Sequence, residues 1–112
     1  ATCDQAKYAV SRVTGREPPS HPDTEQTIDE LKKRIATGVG YLGEYSEKDF
    51  ADIANRTVTT PRWEGKSMTA VNYFIEHAQP NFYFHLTTAY AIMRHNGVDI
   101  GKRDFLGQLT WR

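Results

Sequence analysis

One stretch of the sequence carries polar side chains at the spacing of a helical face. These five side chains, four residues apart except for the last step of three, are Tyr73, His77, Asn81, His85 and Thr88. Residues three or four apart lie on the same side of an α-helix. If that side faces the interior of a bundle, two imidazoles, an amide, a phenol and a hydroxyl meet there. Such a group could bind a small molecule, or act on one with His85 as a general base.

The same pattern has a second interpretation. Buried polar groups are usually satisfied by hydrogen bonds without any further role, and long side chains on a helix often reach into solvent. The five residues could therefore form a structural hydrogen-bond network or a partly solvated face. The sequence leaves both interpretations open, and it does not decide whether the protein is an enzyme.

The element that must hold these side chains is a long helix. Apolar and aromatic residues keep helical spacing from Ser67 to Asn96, which predicts a helix across that range. Pro80 removes one backbone donor, so we expect either a kink near residues 76–80 or a second helix that begins at Pro80. Gly97 is typical of the residue that ends a helix, and residues 99–112 are predicted to form a tail.

Two further helices are predicted before the long one. Residues 2–14 place small and apolar side chains at steps of three or four, and Gly15 fits the end of that helix. Thr27 and Glu30 have the spacing of a capping box, which predicts the start of a helix that ends near Gly43. The three prolines between residues 16 and 23 predict a loop between the two helices.

The segment between the second helix and the long helix has weaker signals. Ser46 and Asp49 suggest another helix start and a short helix through Ala54. Residues 57–63 are rich in β-branched side chains and contain Pro61, so they are expected to be extended without forming a true sheet.

The bulk composition excludes several classes of protein. The 112 residues fit one domain, covering residues 1–112. Fourteen basic and fourteen acidic residues balance, so no nucleic-acid partner is expected, and no apolar run is long enough for a membrane span. The single cysteine, Cys3, cannot form an internal disulfide, which favours a reducing, cytoplasmic location.

Two motifs carry a resemblance to a known family. Residues 81–98, NFYFHLTTAYAIMRHNGV, resemble the last helix of the DinB/YfiT-like superfamily, whose pattern is His-x-x-x-His, an apolar stretch and Leu-Arg-x-x-Gly. The motifs HAQPNFYFH at 77–85 and HNGVDIGKRDFLG at 95–107 are similar to one branch of it, a family described as a domain of unknown function. Both motifs are long and have fixed spacing.

The resemblance implies an all-α, DinB-like, up-and-down helical bundle. This chain would supply three of the four helices, together with a short helix and an extended C-terminal tail. The superfamily's first helix has no counterpart before Ala1. We therefore expect an apolar strip to lie open and to be covered by a second copy in a homodimer or by a separate N-terminal helix.

The resemblance also implies a metal site that has degenerated. Many members of the superfamily hold a divalent metal with three histidines, and the resemblance implies that these positions correspond to Asn81, His85 and a position at or beside Gln5. Neutral amides are poor ligands for Zn²⁺ or Ni²⁺, so no cofactor is expected, although Asp4 could serve as a replacement ligand.

Three functions follow as hypotheses from this resemblance. The first is a bundle that binds a small molecule or a protein partner around His77, Asn81 and His85. The second is a transferase-like or hydrolase-like enzyme, either dependent on Zn²⁺ or Ni²⁺ or based on His85. The third is a structural oligomerisation module.

Overall fold

The chain is mostly helical in the computed structural model, which describes all 112 residues. Two helices, α1 (Thr2–Thr14) and α2 (Ile28–Gly43), come first. They are followed by 3₁₀ turns at Glu47–Phe50 and Ile53–Asn55, strand β1 (Thr57–Val58), a 3₁₀ turn at Pro61–Trp63 and strand β2 (Met68–Thr69). A long helix then comprises α3 (Ala70–Asn72), a π-helical turn (Tyr73–Ala78) and α4 (Gln79–His95), and α5 (Lys102–Leu106) lies near the C-terminus. The prediction of an all-α fold is confirmed.

Local signals in the sequence set the ends of the helices. The Thr27 hydroxyl accepts a hydrogen bond from the Glu30 amide at 3.2 Å, and the Glu30 carboxylate accepts one from the Thr27 amide at 2.9 Å. This pair is the predicted capping box. Gly15 and Gly97 have φ angles of 75° and 83°, so both lie in the left-handed region that glycine adopts most easily at the end of a helix.

The segment after α2 differs from the prediction in two respects. Asp49 caps the backbone of Ser46 at 2.7 Å as expected, but the short helix is two separate 3₁₀ turns. The prediction of no sheet is wrong, because β1 and β2 form a two-stranded antiparallel ladder in which Val58 pairs with Met68. The β-branched residues of β1 pair with β2 on the other side of the turn at 61–67. Val58 is thereby buried, with 3% of its surface exposed.

The predicted irregularity in the long helix is a π-helical turn and not a break. Pro80 has no amide hydrogen, so the α-helical bond to the carbonyl of Glu76 cannot form. The turn from Tyr73 to Ala78 lies directly before this proline, and the helix continues as α4. Such turns often occur at functional sites.

Helix α1 lies at the centre of the fold, with α2 on one side and the long helix on the other. The core forms where α1, β1 and the long helix meet. Its buried members are Ala9, Val13, Val58, Ala70, Tyr73 and Ala78, with Phe50, Ile53, Trp63 and Met68 packed around them. This packing fixes the positions of α1 and the long helix, which form two sides of the candidate site.

The apolar side of α2 is not covered. Ile28, Ile35 and Val39 are each more than half exposed. Together with Phe82, Leu86 and Met93 of α4 and residues at the start of α1, part of this side lines a groove of about 580 Å³, called the apolar groove below. The expected open apolar strip is therefore confirmed. None of the helices combines the length and the apolar composition that crossing a membrane requires.

Candidate functional site

A polar cavity of about 480 Å³ lies between α1, the 3₁₀ turn at Pro61–Trp63 and the long helix. Its lining residues come from all three elements: Gln5, Tyr8 and Arg12 from α1, Thr60, Pro61, Arg62 and Trp63 around the turn, and His77, Asn81 and His85 from the long helix. This space is called the polar cavity below. Its volume suits a small organic molecule.

Three of the five residues predicted from helical spacing line the polar cavity. His77, Asn81 and His85 are partly buried side chains at successive turns of the long helix, and all face the same space. The four-residue spacing therefore brings these three together. Their role in binding stays a prediction.

Tyr73 does not line the polar cavity, although its spacing matches. Its side chain is 1% exposed and belongs to the core. The hydroxyl accepts a hydrogen bond from Nη1 of Arg12 at 3.3 Å, and the ring stacks on His77 with centroids 5.4 Å apart. Tyr73 therefore supports two lining residues from behind.

Thr88 lies outside the polar cavity. Thr88 shares the helical face but lies about 4.5 Å beyond His85 along the helix axis, and its side chain is exposed. Its hydroxyl donates to the carbonyl of Phe84 at 2.7 Å within the same helix, and it borders a shallow depression that also contains His95. The expectation that Thr88 belongs to the site is corrected by this geometry.

The three positions that correspond to superfamily metal ligands do meet in the polar cavity. Nδ2 of Asn81 donates to Oε1 of Gln5 at 2.6 Å, and His85 lines the same space. However, the cavity offers only two imidazoles, His77 and His85, beside two neutral amides bonded to each other, and amides are poor ligands for Zn²⁺ or Ni²⁺. No three His, Cys, Asp or Glu side chains of the chain are grouped so as to hold a metal ion. The residues present therefore do not fit a divalent metal.

Asp4 does not act as a replacement ligand, because its carboxylate is engaged elsewhere. Oδ1 lies 2.8 Å from Nη2 of Arg34 and 3.3 Å from Nζ of Lys7. Burial raises the pKa of Asp4, but the hydrogen bond from Lys7 and the charge of Arg34 outweigh burial and hold that pKa below its usual value. Asp4 therefore joins α1 to α2.

An aromatic wall closes one side of the polar cavity. Trp63 lies edge-on to His77 with ring centroids 5.5 Å apart and tilted against Tyr73 at 5.9 Å. Nδ1 of His77 is buried in this cluster and has no hydrogen-bond partner within the chain. A buried polar atom without a partner costs about 1–3 kcal/mol, so native structures rarely keep one without a reason.

Sequence reasoning missed four lining residues that carry much of the site's chemistry. Tyr8 and Arg12 follow Gln5 by three and seven residues, so the helical face that holds Gln5 could have identified them. Arg62 and Trp63 come from a turn far from either helix in sequence. No pattern near them indicates that contact.

Comparison with known proteins supports the resemblance found in the sequence. A solved structure of a DinB family member protein from Shewanella denitrificans is 50% identical and aligns with a TM-score of 0.93 over 99% of this chain and 64% of that one. This chain therefore spans about two thirds of that protein's length. No curated protein matches the chain. The fold is that of a DinB-like helical bundle. A family model described as a domain of unknown function, DUF1993, matches residues 1–106, and the chain belongs to that family.

Proposed function

We propose that this domain binds a small organic molecule in the polar cavity, and that binding needs no divalent metal. The observation that carries the proposal is the convergence of polar side chains from three separate elements on one space of about 480 Å³. A concave site of this size with a few convergent polar groups is the usual form of a small-molecule site.

The hydrogen bonds inside the polar cavity support this proposal. Because Asn81 donates to Oε1 of Gln5, the amide NH₂ of Gln5 and the carbonyl oxygen of Asn81 remain available to a ligand. The amides are thereby held in one orientation, which reduces the entropy lost on binding. The imidazole of His85 adds a group that can donate or accept.

A fragment screen by protein-observed NMR tests the proposal. The two tryptophans provide an internal control, since Trp63 lines the polar cavity whereas Trp111 is 83% exposed near the C-terminus. We expect fragments that shift the indole N–H signal of Trp63 and leave that of Trp111 unchanged. A screen in which no fragment shifts the Trp63 signal selectively would contradict the proposal.

A second candidate function is catalysis with His85 as the general base. The observation in its favour is that the partly buried imidazole lines the same cavity as the orienting amide of Asn81. Elemental analysis of protein purified without chelator or affinity metal tests whether an enzyme would depend on a metal. One metal ion per chain would favour the metal-dependent enzyme.

The apolar groove supports a third proposal, a homodimer. The apolar side of α2 is exposed, and part of it lines the groove. In a two-fold arrangement, α2 of each copy can lie in the groove of the other copy. Light scattering during size-exclusion chromatography tests the homodimer. The cytoplasmic location also stays a prediction.

A further inference from the structure

The charges that line the polar cavity are of one sign. Arg12 and Arg62 contribute two guanidinium groups, and none of the ten lining residues is Asp or Glu. The whole chain, in contrast, has equal numbers of basic and acidic residues. A concave surface lined with cations concentrates field lines and attracts anions.

Neither of these two arginines has a carboxylate partner within the chain. Arg34 pairs with Asp4 at 2.8 Å and with Glu25 at 3.3 Å, and Arg16 pairs with Glu44. The ion pairs of the chain include no contact from Arg12 or Arg62. Both remain available to a negative charge from outside.

Arg12 is held in place for such a contact. Nη1 donates to the buried hydroxyl of Tyr73 at 3.3 Å, and the guanidinium carbon lies 4.6 Å from the centre of the Tyr8 ring. A guanidinium has five N–H donors in a fixed plane, so one bond to Tyr73 leaves enough donors for a bidentate contact. Because the side chain is already ordered, binding costs little conformational entropy.

The rest of the lining suits a planar organic group. Trp63 and Tyr8 provide aromatic surfaces on the walls, and Trp63 is fixed by its contacts with His77 and Tyr73. Rings prefer offset-stacked or edge-to-face partners, each worth about 0.5–1.5 kcal/mol beyond the buried area. The amide NH₂ of Gln5 adds one more donor beside the guanidinium groups.

We infer that the ligand of the polar cavity is a small organic anion, with its carboxylate or phosphate on Arg12 and Arg62 and its planar body against Trp63 and Tyr8. This inference rests on the proposed function, because it names the class of molecule that the same cavity binds. It also explains how the cavity can bind a ligand although Gln5 and Asn81 replace the metal ligands implied by the superfamily resemblance. The guanidinium groups supply the positive charge instead.

Fluorescence of Trp63 in a Trp111→Phe background tests the inference, since that variant has a single tryptophan beside the cavity. Benzoate, phenyl phosphate and the neutral, shape-matched benzamide are titrated at constant ionic strength. We expect benzoate or phenyl phosphate to bind at least tenfold more tightly than benzamide. The anion that binds more tightly distinguishes a carboxylate ligand from a phosphate ligand.

Charge-removing variants locate the contact. Arg62 is exposed, so Arg62→Gln leaves the core intact and is expected to weaken anion binding about tenfold without changing benzamide binding. Arg103→Gln removes an exposed charge on α5, outside the cavity, and is the matched control, with no expected change. Equal affinity for benzoate and benzamide would overturn the anion assignment but not the proposed function. No saturable response to any probe would also overturn the assignment, and the fragment screen then decides separately whether the cavity binds neutral molecules.

Discussion

The amide pair of Gln5 and Asn81 determines what the polar cavity can bind. Each side chain occupies a position where the superfamily pattern has a metal-binding histidine, and the two bind each other at 2.6 Å. An amide offers a metal only a neutral oxygen, whereas it offers an organic ligand both a donor and an acceptor. We therefore expect hydrogen-bond recognition, and not metal chemistry, at these two positions.

Restoring histidines at these two positions is predicted to create a metal site. In the double variant Gln5→His with Asn81→His, four imidazoles, counting His77 and His85, would face one space. We expect isothermal titration calorimetry to show Zn²⁺ or Ni²⁺ binding at least about 100-fold tighter than in the wild type, because imidazole is a preferred ligand of both ions. Asn81→His alone is the control and should fall between the two. Equal affinity in all three proteins would show that these positions do not form one site.

Three of the five residues predicted from the spacing of one helix line the polar cavity, whereas Tyr73 and Thr88 do not. The spacing of His77, Asn81 and His85 is a property of α-helical geometry, so it held in the structure. Arg62 and Trp63 reach the cavity only through the packing of the turn at 61–63 against the long helix. Contacts of that kind depend on the tertiary fold, which a local pattern does not encode.

At the scale of elements, the contact between Asp4 and Arg34 fixes α1 against α2. Arg34 is 9% exposed and also binds the carbonyl of Pro22 at 3.0 Å and the carboxylate of Glu25 at 3.3 Å. One guanidinium thus ties the loop between the two helices to both of them. Gln5, one residue after Asp4, accepts its hydrogen bond from Asn81 of the long helix.

The contact between Asp4 and Arg34 should make the free energy of unfolding depend on pH in a defined direction. The pKa of Asp4 in the folded protein lies below its usual value of 3.8, so its contribution is present above that value and is lost as the pH falls through the folded pKa. Asp4→Asn is expected to lower the free energy of unfolding by about 1–2 kcal/mol at neutral pH, and by less as the pH falls below 3.8. Urea unfolding on both sides of that pH measures this. Asp99→Asn, at an exposed position, is the control, and a pH-independent loss for Asp4→Asn would contradict the account.

The end of α1 should be sensitive to replacement of its glycine. Gly15 has a φ angle of 75°, and a Cβ there would lie 1.6 Å from Nη2 of Arg56. Gly15→Ala is therefore expected to cost about 1–2 kcal/mol in thermal or urea unfolding. Gly40→Ala, within α2 with no atom close to the new Cβ, should instead stabilise by up to about 1 kcal/mol. Equal effects of the two substitutions would show that Gly15 has no special role at the end of the helix.

The elements were predictable to different degrees for a physical reason. The ends of α1 and α2 follow from signals within a few residues, such as the capping box of Thr27 and Glu30. The ladder of β1 and β2 joins two-residue strands across an intervening turn, and neither strand is long enough to show an alternating pattern. Pro80 indicated an irregular helix, but not that the irregularity would be a π-helical turn.

At the scale of the whole molecule, the apolar groove is a surface that no element of the same chain covers. Helices α2 and α4 flank α1, and the apolar side chains between them remain exposed. Exposed apolar area of this kind favours association, at roughly 25 cal/mol for each Å² removed from water. The related solved structure belongs to a longer chain, of which this one covers 64%.

The homodimer proposal predicts the effect of a charge placed in the groove. Wild-type chain should elute with twice its mass of 12.8 kDa in size-exclusion chromatography with light scattering. Ile35→Glu puts a carboxylate among apolar side chains of the groove and should yield the monomer, because burying an unpaired charge is costly. Ala36→Glu, one residue further along α2 and outside the groove, should leave the dimer intact. A wild type that is monomeric at every concentration would contradict the proposal.

The most direct test of the central claim compares the wild type with His85→Ala in an NMR titration of a fragment that shifts the Trp63 indole signal. Because His85 lines the polar cavity and is only partly buried, its removal should leave the fold and the unfolding temperature nearly unchanged. We predict that the fragment binds the variant at least tenfold more weakly, since a hydrogen-bonding group of the cavity is lost. Unchanged affinity in a folded His85→Ala protein would contradict the claim that this cavity is the functional site.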